Sequence, residues 1–147
     1  MNIFFRKMKN SDRDEVLSMM RVFYRSAAVY TNGSEEIFAN DFDNCVNGCP
    51  YLEGYIFLSD GEVCGYSMIA KSFSTEFGKP CIWVEDLYLK ESHRGLGIGS
   101  RFFDYLEEQY ADQDVIFRLK VERENEPAVH LYRKKGYGEL PYLEMKK

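Results

Sequence analysis

The chain has 147 residues, 45% of them hydrophobic and 16% aromatic, and its 19 Lys and Arg against 24 Asp and Glu give a formal net charge of -5. The length suits one domain, and the apolar content excludes a disordered chain. The acidic balance argues against a nucleic-acid partner, and no apolar run approaches the ~20 residues that span a bilayer. We therefore expect a single domain over residues 1–147, located in the cytoplasm, with no nucleic-acid or membrane partner.

The first third of the chain predicts one strand and two helices. Residues 2–8 form a first strand, and we expect a helix that has Ser11 as its N-cap and ends near Ala27. A second helix is capped by Ser34 and ended by residues 47–48. Apolar side chains of the first helix recur at three- and four-residue steps: Val16, Leu17, Met20, Phe23 and Tyr24.

From residue 53 the apolar period changes to two, which is the period of a strand. Asp60-Gly61 predicts a hairpin turn into a partner strand over residues 63–73. A further strand over residues 81–89 is strongly β-prone, although it contains two consecutive acids at positions 85 and 86. These segments therefore predict three strands in succession.

Three glycines, Gly95, Gly97 and Gly99, separate that strand from a helix that starts near residue 100. A strand over residues 115–121 follows, then a short helix that starts at residues 125–127 and ends at Gly136. We expect a terminal strand that includes Tyr142, Leu143 and Met145. The four cysteines contain no C-x-x-C pair, and neither histidine lies near them at a zinc-like spacing, so we expect free thiols and no metal site.

The segment HRGLGIGSR at 93–101 carries the strongest functional signal. Glycines between a strand and a helix allow positive φ and expose amides at a helix N-terminus, which suits a phosphate or diphosphate. A dinucleotide loop is excluded because the sixth position from Gly95 is Ser100, and a P-loop is excluded because no Gly-Lys-Ser or Gly-Lys-Thr occurs. The alternative is a glycine turn needed only for tight helix packing.

The pattern Arg94-x-x-Gly97-x-Gly99 resembles the acetyl-CoA pyrophosphate loop, R/Q-x-x-G-x-G/A, of the GNAT superfamily of N-acetyltransferases. The preceding strand carries EDLYL at 85–89, and NEPAVHLYRKKGY at 125–137 resembles the second signature of the family. The order of predicted elements also matches the family, so the resemblance covers nearly the whole chain. Within the family, the two blocks look most like the spermidine/spermine acetyltransferase branch.

The resemblance implies a GNAT fold of class α/β (α+β in some schemes). This fold is a mixed, largely antiparallel twisted sheet of six to seven strands flanked by about four helices. A parallel pair of strands splays apart at the acetyl-CoA cleft. The resemblance also implies a homodimer, because family members often pair through their later strands.

Acetyl-CoA, without a metal, is the implied cosubstrate. The resemblance implies that backbone groups of Leu87, Tyr88 and Leu89 pair with its pantetheine arm as another strand would. Asn125 resembles the family's contact to the pantetheine at the start of the last helix. The residues implied to hold the diphosphate are Arg94, Gly95, Leu96, Gly97, Ile98, Gly99 and Ser100.

Acetyl transfer requires a neutral amine, yet an alkylamine with a pKa near ~10 is neutral in only about one molecule per thousand at pH 7. The resemblance implies Glu85 as general base, acting directly or through water. Glu85 could instead pair with Arg118 or Lys120, or only attract a cationic substrate. Glu85 and Asp86 are consecutive strand residues, so they face opposite sides unless a β-bulge intervenes.

The departing thiolate benefits from a proton donor, and the resemblance implies Tyr132 for this role and the Leu87 amide for stabilising the oxyanion. The alternative for Tyr132 is a core aromatic with a bonded hydroxyl.

The function expected from these residues is transfer of an acetyl group from acetyl-CoA directly to the primary amine of a small molecule or polyamine. Two alternatives stay open: a CoA-binding regulatory or interaction module without turnover, and an acetyltransferase of proteins or peptides. We expect residues 24–47 to form the wall of the acceptor site and so to decide between a small amine and a peptide.

Overall fold

The computed structural model describes residues 1–147 and contains five strands, four α-helices and two 3-10 turns. The strands are β1 (Ile3–Lys7), β2 (Leu52–Ser59), β3 (Glu62–Ser74), β4 (Lys79–Leu89) and β5 (Ile116–Leu119). The α-helices are α1 (Arg13–Phe23), α2 (Glu35–Val46), α3 (Ile98–Gln109) and α4 (Glu126–Lys134). The 3-10 turns are Asn10–Asp12 and Glu91–His93. None of the helices combines the length and the apolar character needed to cross a membrane.

All five strands form one sheet in the order β1-β2-β3-β4-β5. Neighbouring strands are antiparallel from β1 to β4, whereas β4 and β5 are parallel. Helix α3 provides the long crossover that a parallel connection requires. The predicted mixed, largely antiparallel sheet with one parallel pair is therefore confirmed.

Buried side chains cover both faces of the sheet. On the α3 face, α3 packs against a cluster that includes Ile82 and Val84 of β4. On the α1/α2 face, α1 and α2 pack against a cluster that includes Tyr88 of β4 and Tyr66 of β3. Side chains alternate along a strand, so neighbouring residues of β4 serve the two faces in turn.

Two predicted local signals are confirmed. The hairpin between β2 and β3 turns at Asp60 and Gly61, whose φ angles of 49° and 85° are typical of a tight hairpin. Ser34 caps α2, since its hydroxyl accepts the amide of Ile37 at 3.1 Å.

Helix α1 differs from its prediction at both ends. Ser11 lies inside a 3-10 turn and is not the N-cap; Asp12 occupies that position, and its carboxylate accepts an amide three residues earlier. The helix ends at Phe23 and does not extend to Ala27. The hydroxyl of Ser26 donates to the Phe23 carbonyl at 2.6 Å and stabilises the turn that ends the helix.

The predicted terminal strand is wrong, and so is the expected count of six to seven strands, because the sheet has five. Residues 137–147 contain no regular structure and are held by side-chain contacts. Tyr142 donates to Glu76, Glu144 pairs with Lys120 at 3.2 Å, and the Lys146 ammonium lies 5.6 Å from the centre of the Tyr30 ring. These contacts draw the C-terminal segment across the α1/α2 face.

Candidate active site

The glycine loop connects the 3-10 turn after β4 to the start of α3. Gly95 and Gly97 have φ angles of 74° and 79°, in the left-handed region that favours glycine. A Cβ atom added at either position would meet no atom within 4 Å, so packing does not explain these two glycines. Gly99 differs, because an added Cβ would lie 3.2 Å from Leu131 of α4. Helix packing therefore accounts for Gly99 alone.

The amides of residues 95–100 make no hydrogen bond within the chain. Those of residues 98–100 belong to the first turn of α3, which has no preceding turn to accept them. Six donors at the positive end of a helix form a cradle suited to a diphosphate. Arg94 lies beside this cradle, where its Nε donates to the Leu89 carbonyl at 2.9 Å and its guanidinium lies 5.7 Å from the centre of the Tyr88 ring.

The cleft begins where β4 and β5 stop pairing. Their parallel register runs from Cys81 opposite Ile116 to Val84 opposite Leu119 and goes no further. Beyond that point, residues 86–89 of β4 pair with β3 only, so their other edge is open. An extended pantetheine arm fits such an edge in the same way as an added strand.

Glu85 occupies a β-bulge. The β3–β4 register passes from Met68 opposite Asp86 to Ile69 opposite Val84, so that Glu85 has no partner. This is the irregularity that the two consecutive acids require if both are to face one cleft. Glu85 is exposed and forms no ion pair, because Arg118 stacks on Trp83 and Lys120 pairs with Glu144. The alternative that Glu85 is only a partner of Arg118 or Lys120 is wrong.

Asp86 is the opposite case, a carboxylate with 3% of its surface exposed. Its two oxygens accept the hydroxyls of Tyr24 and Tyr66, each at 2.8 Å. Burial raises the pKa of Asp86 to about 7, and the charges of Asp41 and Glu85 raise it further, while the two hydroxyls oppose the shift.

Asp41 completes a group of three carboxylates that we call the acidic cluster, made of Asp41, Glu85 and Asp86. Asp41 lies on α2 and is half-buried, and both burial and the charge of Glu85 raise its pKa. Asp86 bonds Tyr24 and Tyr66 on the α1/α2 face of the sheet, which is the face that α2 covers, and Glu85 precedes Asp86 in the β-bulge. Because no Lys or Arg forms an ion pair with any member, the cluster suits a cationic ligand.

We expect Asp86→Asn to change how the free energy of unfolding depends on pH. The Asp86 carboxyl has a pKa of about 4 in the unfolded chain and of about 7 in the folded protein. Its contribution to stability is therefore fully present below about pH 4 and is lost as the pH rises through 7. The wild type should lose roughly 2–4 kcal/mol more than the variant between pH 4 and pH 8. Urea unfolding at several pH values measures this difference. Asp112→Asn, at an exposed position, is the control, and equal pH slopes for wild type and Asp86→Asn would contradict the prediction.

Tyr132 lies on α4, on the α3 face of the sheet. Its ring packs edge-on against Phe103 at 5.6 Å, and its hydroxyl makes no hydrogen bond within the chain. Burial raises the pKa of Tyr132 to about 12, so the hydroxyl keeps its proton at neutral pH and can donate it. The alternative of a core tyrosine with a bonded hydroxyl does not match this arrangement.

A sequence profile of the acetyltransferase (GNAT) family matches residues 16–137, which include the acidic cluster, the glycine loop and Tyr132. This chain belongs to the GNAT family. It is an acetyl-CoA-dependent N-acetyltransferase, with acetyl-CoA as the cosubstrate.

Curated relatives and solved structures align along nearly the whole chain. The thialysine N-epsilon-acetyltransferase of Sus scrofa is 31% identical over 153 residues, covering 97% of this chain and 88% of that protein. The crystal structure of a possible acetyltransferase from Clostridium difficile 630 superimposes with a TM-score of 0.84 at 17% identity, covering 100% of this chain and 97% of that one. AAC(6')-Iy in complex with a CoA bisubstrate analogue has a TM-score of 0.81 at 11% identity, covering 100% and 98% of the two chains.

From the sequence, residues 24–47 are expected at the acceptor site of this GNAT enzyme, but neither Asp41 nor the two tyrosines that bond Asp86 are singled out. Asp41 is next to the buried Phe42 on α2, which is the only local sign that its side chain approaches the sheet. Tyr24 follows α1 and Tyr66 lies on β3, and both hydroxyls donate to the Asp86 carboxylate on β4. No short-range pattern predicts such a contact, because each partner is set by packing between helix and sheet.

Proposed function

We propose that this enzyme acetylates the primary amine of a small molecule or polyamine, which approaches the site as its ammonium ion. The observation that carries the proposal is the acidic cluster, which lies where β4 and β5 separate and has no basic partner. Carboxylates in this position attract an alkylammonium ion and offer it a proton acceptor. The relatives named for acetylation at the ε-nitrogen of thialysine support an amine acceptor.

Glu85 is the general base of this proposal, acting directly or through water. It is the exposed acid of the pair, whereas both oxygens of Asp86 are occupied by tyrosine hydroxyls. The β-bulge turns Glu85 away from regular alternation and toward the cleft. Asp86 and Asp41 then serve to hold the ammonium form near Glu85.

The Leu87 amide is the proposed donor to the oxyanion. The hydroxyl of Ser67, on β3, donates to the Asp86 carbonyl at 2.6 Å, so that carbonyl points toward β3. In a trans peptide the following amide points the opposite way, which directs the Leu87 N–H toward the open edge of β4. A donor fixed before the reaction stabilises the developing charge without reorganisation.

Tyr132 is the proposed general acid, which gives its proton to the departing sulfur. Its neutral hydroxyl, held by ring packing and free of internal partners, supports this role.

The remaining residues of the site bind acetyl-CoA in this proposal. Residues 95–100 hold the diphosphate through their free amides, and Arg94 contributes its charge. Residues 87–89 pair with the pantetheine through the open edge of β4. Asn125, at the start of α4, contacts the pantetheine, and its side chain makes no hydrogen bond within the chain that would compete.

We also propose that residues 1–147 work as one acetyltransferase domain in the cytoplasm and as a homodimer. Free cysteines throughout the chain support a reducing compartment. The outer edge of β5 is unpaired and the nearby Leu143 is 85% exposed, which supports pairing of subunits at this side of the sheet.

An acceptor screen tests the proposed function. Purified protein and acetyl-CoA are combined with polyamines, aminoglycosides, amino acids and peptide N-termini, and release of free CoA thiol is followed. Small aliphatic amines should give the highest kcat/KM, because the acidic cluster attracts an alkylammonium ion. Preference for a peptide would support the protein-modifying alternative. Preference for an acceptor with a net negative charge would contradict the role of the acidic cluster.

Glu85→Gln separates base catalysis from simple attraction of the substrate. If Glu85 takes the proton, kcat/KM at pH 7 should fall about 100-fold and should recover as the pH approaches the pKa of the amine. If Glu85 only attracts the cation, KM should rise and the shape of the pH profile should stay as in the wild type. Steady-state kinetics from pH 6 to pH 10 measure both, with Glu62→Gln in the remote hairpin as the control.

A further inference from the structure

Arg118 is a half-buried cation without a carboxylate partner. Its guanidinium lies 4.5 Å from the centre of the Trp83 ring, in a cation–π contact. It forms no ion pair, and none of its five donors makes a hydrogen bond within the chain. The stacking on Trp83 holds the planar donor group in a fixed orientation, which is the geometry used for bidentate binding of carboxylates.

The acids around Arg118 are already engaged with other groups. Glu144 pairs with Lys120 at 3.2 Å, and Asp114 pairs with Lys79 at 2.9 Å. Glu76 accepts the hydroxyl of Tyr142, the residue of the C-terminal segment that feels the charge of Arg118. The guanidinium of Arg118 is therefore available to an anionic group from outside the chain.

Arg118 lies on the same face of the sheet as the acidic cluster. Phe117 and Leu119 pack on the α3 face, so Arg118 between them points to the α1/α2 face, as does Trp83 between Ile82 and Val84. Trp83 and Arg118 are opposite each other in the parallel register, and Glu85 follows Trp83 by two residues. Two residues of strand cover about 7 Å.

We propose that Arg118, held on Trp83, binds the carboxylate of an acceptor whose primary amine lies at the acidic cluster, so that the preferred substrates are ω-amino acids. This inference rests on the proposed function and deepens it. A negative subsite and a positive subsite that start from strand positions about 7 Å apart, on one face of the sheet, complement a zwitterion. A chain of about five methylene groups between amine and carboxylate covers this distance. A diamine would place its second ammonium against Arg118 and be repelled.

Three acceptors of matched length test the inference: 6-aminohexanoate, 6-aminohexanamide and 1,6-diaminohexane. For the wild type, kcat/KM should be at least about tenfold higher with the carboxylate than with the amide, and lowest with the diamine. Arg118→Met should remove the preference for the carboxylate and leave kcat/KM for the amide within about twofold. Arg118→Lys should retain part of the preference, because the charge remains without the fork.

Lys120→Met is the matched control, since Lys120 directly follows β5, two residues after Arg118, but is already paired with Glu144. It should keep the wild-type preference. Turnover with the three acceptors at equal kcat/KM, or an equal loss for carboxylate and amide in Arg118→Met, would overturn the inference and leave the proposed function intact. No turnover with any amine, by protein that binds acetyl-CoA, would overturn the proposed function and this inference with it.

Discussion

Tyr132→Phe is expected to lower kcat at least about tenfold while the Kd for acetyl-CoA stays nearly unchanged. The substitution removes only the hydroxyl, which makes no hydrogen bond within the chain, and keeps the ring that packs against Phe103. The departing thiolate then leaves without a proton donor, so the cost falls on the chemical step. Steady-state kinetics and calorimetric titration of acetyl-CoA measure the two quantities separately.

Tyr137→Phe is a matched control for this variant. Tyr137 belongs to the same motif and its ring also packs on Phe103, at 5.5 Å, but its hydroxyl is buried without a partner. Loss of that hydroxyl should leave kcat within about twofold and stabilise the fold slightly, because an unsatisfied buried group is removed. If Tyr132→Phe turns over as fast as the wild type, Tyr132 is not the general acid.

Gly97→Ala is expected to raise the Kd for acetyl-CoA at least about tenfold. Gly97 is the N-cap of α3, with φ 79° and ψ 8°, and an alanine in this left-handed conformation costs about 1–2 kcal/mol. Relaxing the strain rotates the amides of the loop away from the diphosphate, so affinity falls by more than stability. Calorimetry and urea unfolding of the same preparation measure both effects.

Gly48→Ala separates strain from loss of the binding site. Gly48 has a φ of 77°, and an added Cβ there also meets no atom within 4 Å, but it follows α2, away from the loop. It should lose a similar amount of stability and keep the wild-type Kd. Wild-type affinity in Gly97→Ala, together with a similar loss of stability in both variants, would show that the loop amides do not hold the diphosphate.

Local signals predicted most of the elements correctly. A turn such as Asp60-Gly61 or a cap such as Ser34 depends on atoms within a few residues, and the structure contains both. The end of α1 was misplaced because apolar spacing continues through Tyr24, whose hydroxyl serves a tertiary contact with Asp86. Helical spacing alone does not distinguish a buried helical residue from a buried residue just beyond the helix.

The terminal segment shows a second limit of sequence patterns. Residues 140–145 are apolar enough for a strand, but strand formation depends on a partner edge, and this segment crosses the α1/α2 face through Tyr142, Glu144 and Lys146. Propensity for β-structure is sensitive to such context.

The candidate site likewise contains features that one short segment determines and features that depend on tertiary packing. The glycine loop and the consecutive acids were predictable because each lies within one short segment, and the β-bulge at Glu85 appears where two adjacent acids require it. The contributions of Asp41 and Arg118 could not be predicted, since they depend on which face of the sheet α2 covers and on the parallel register of β5.

Calorimetric titration with acetyl-CoA and with acetyl-pantetheine tests the central claim most directly, because the two share the thioester arm and only acetyl-CoA carries the 3'-phosphoadenosine diphosphate end. The account predicts binding of acetyl-CoA with a Kd between about 1 µM and 1 mM, and binding of acetyl-pantetheine at least about tenfold weaker. Equal affinity for the two, or no uptake of acetyl-CoA by folded protein at millimolar concentration, would contradict it.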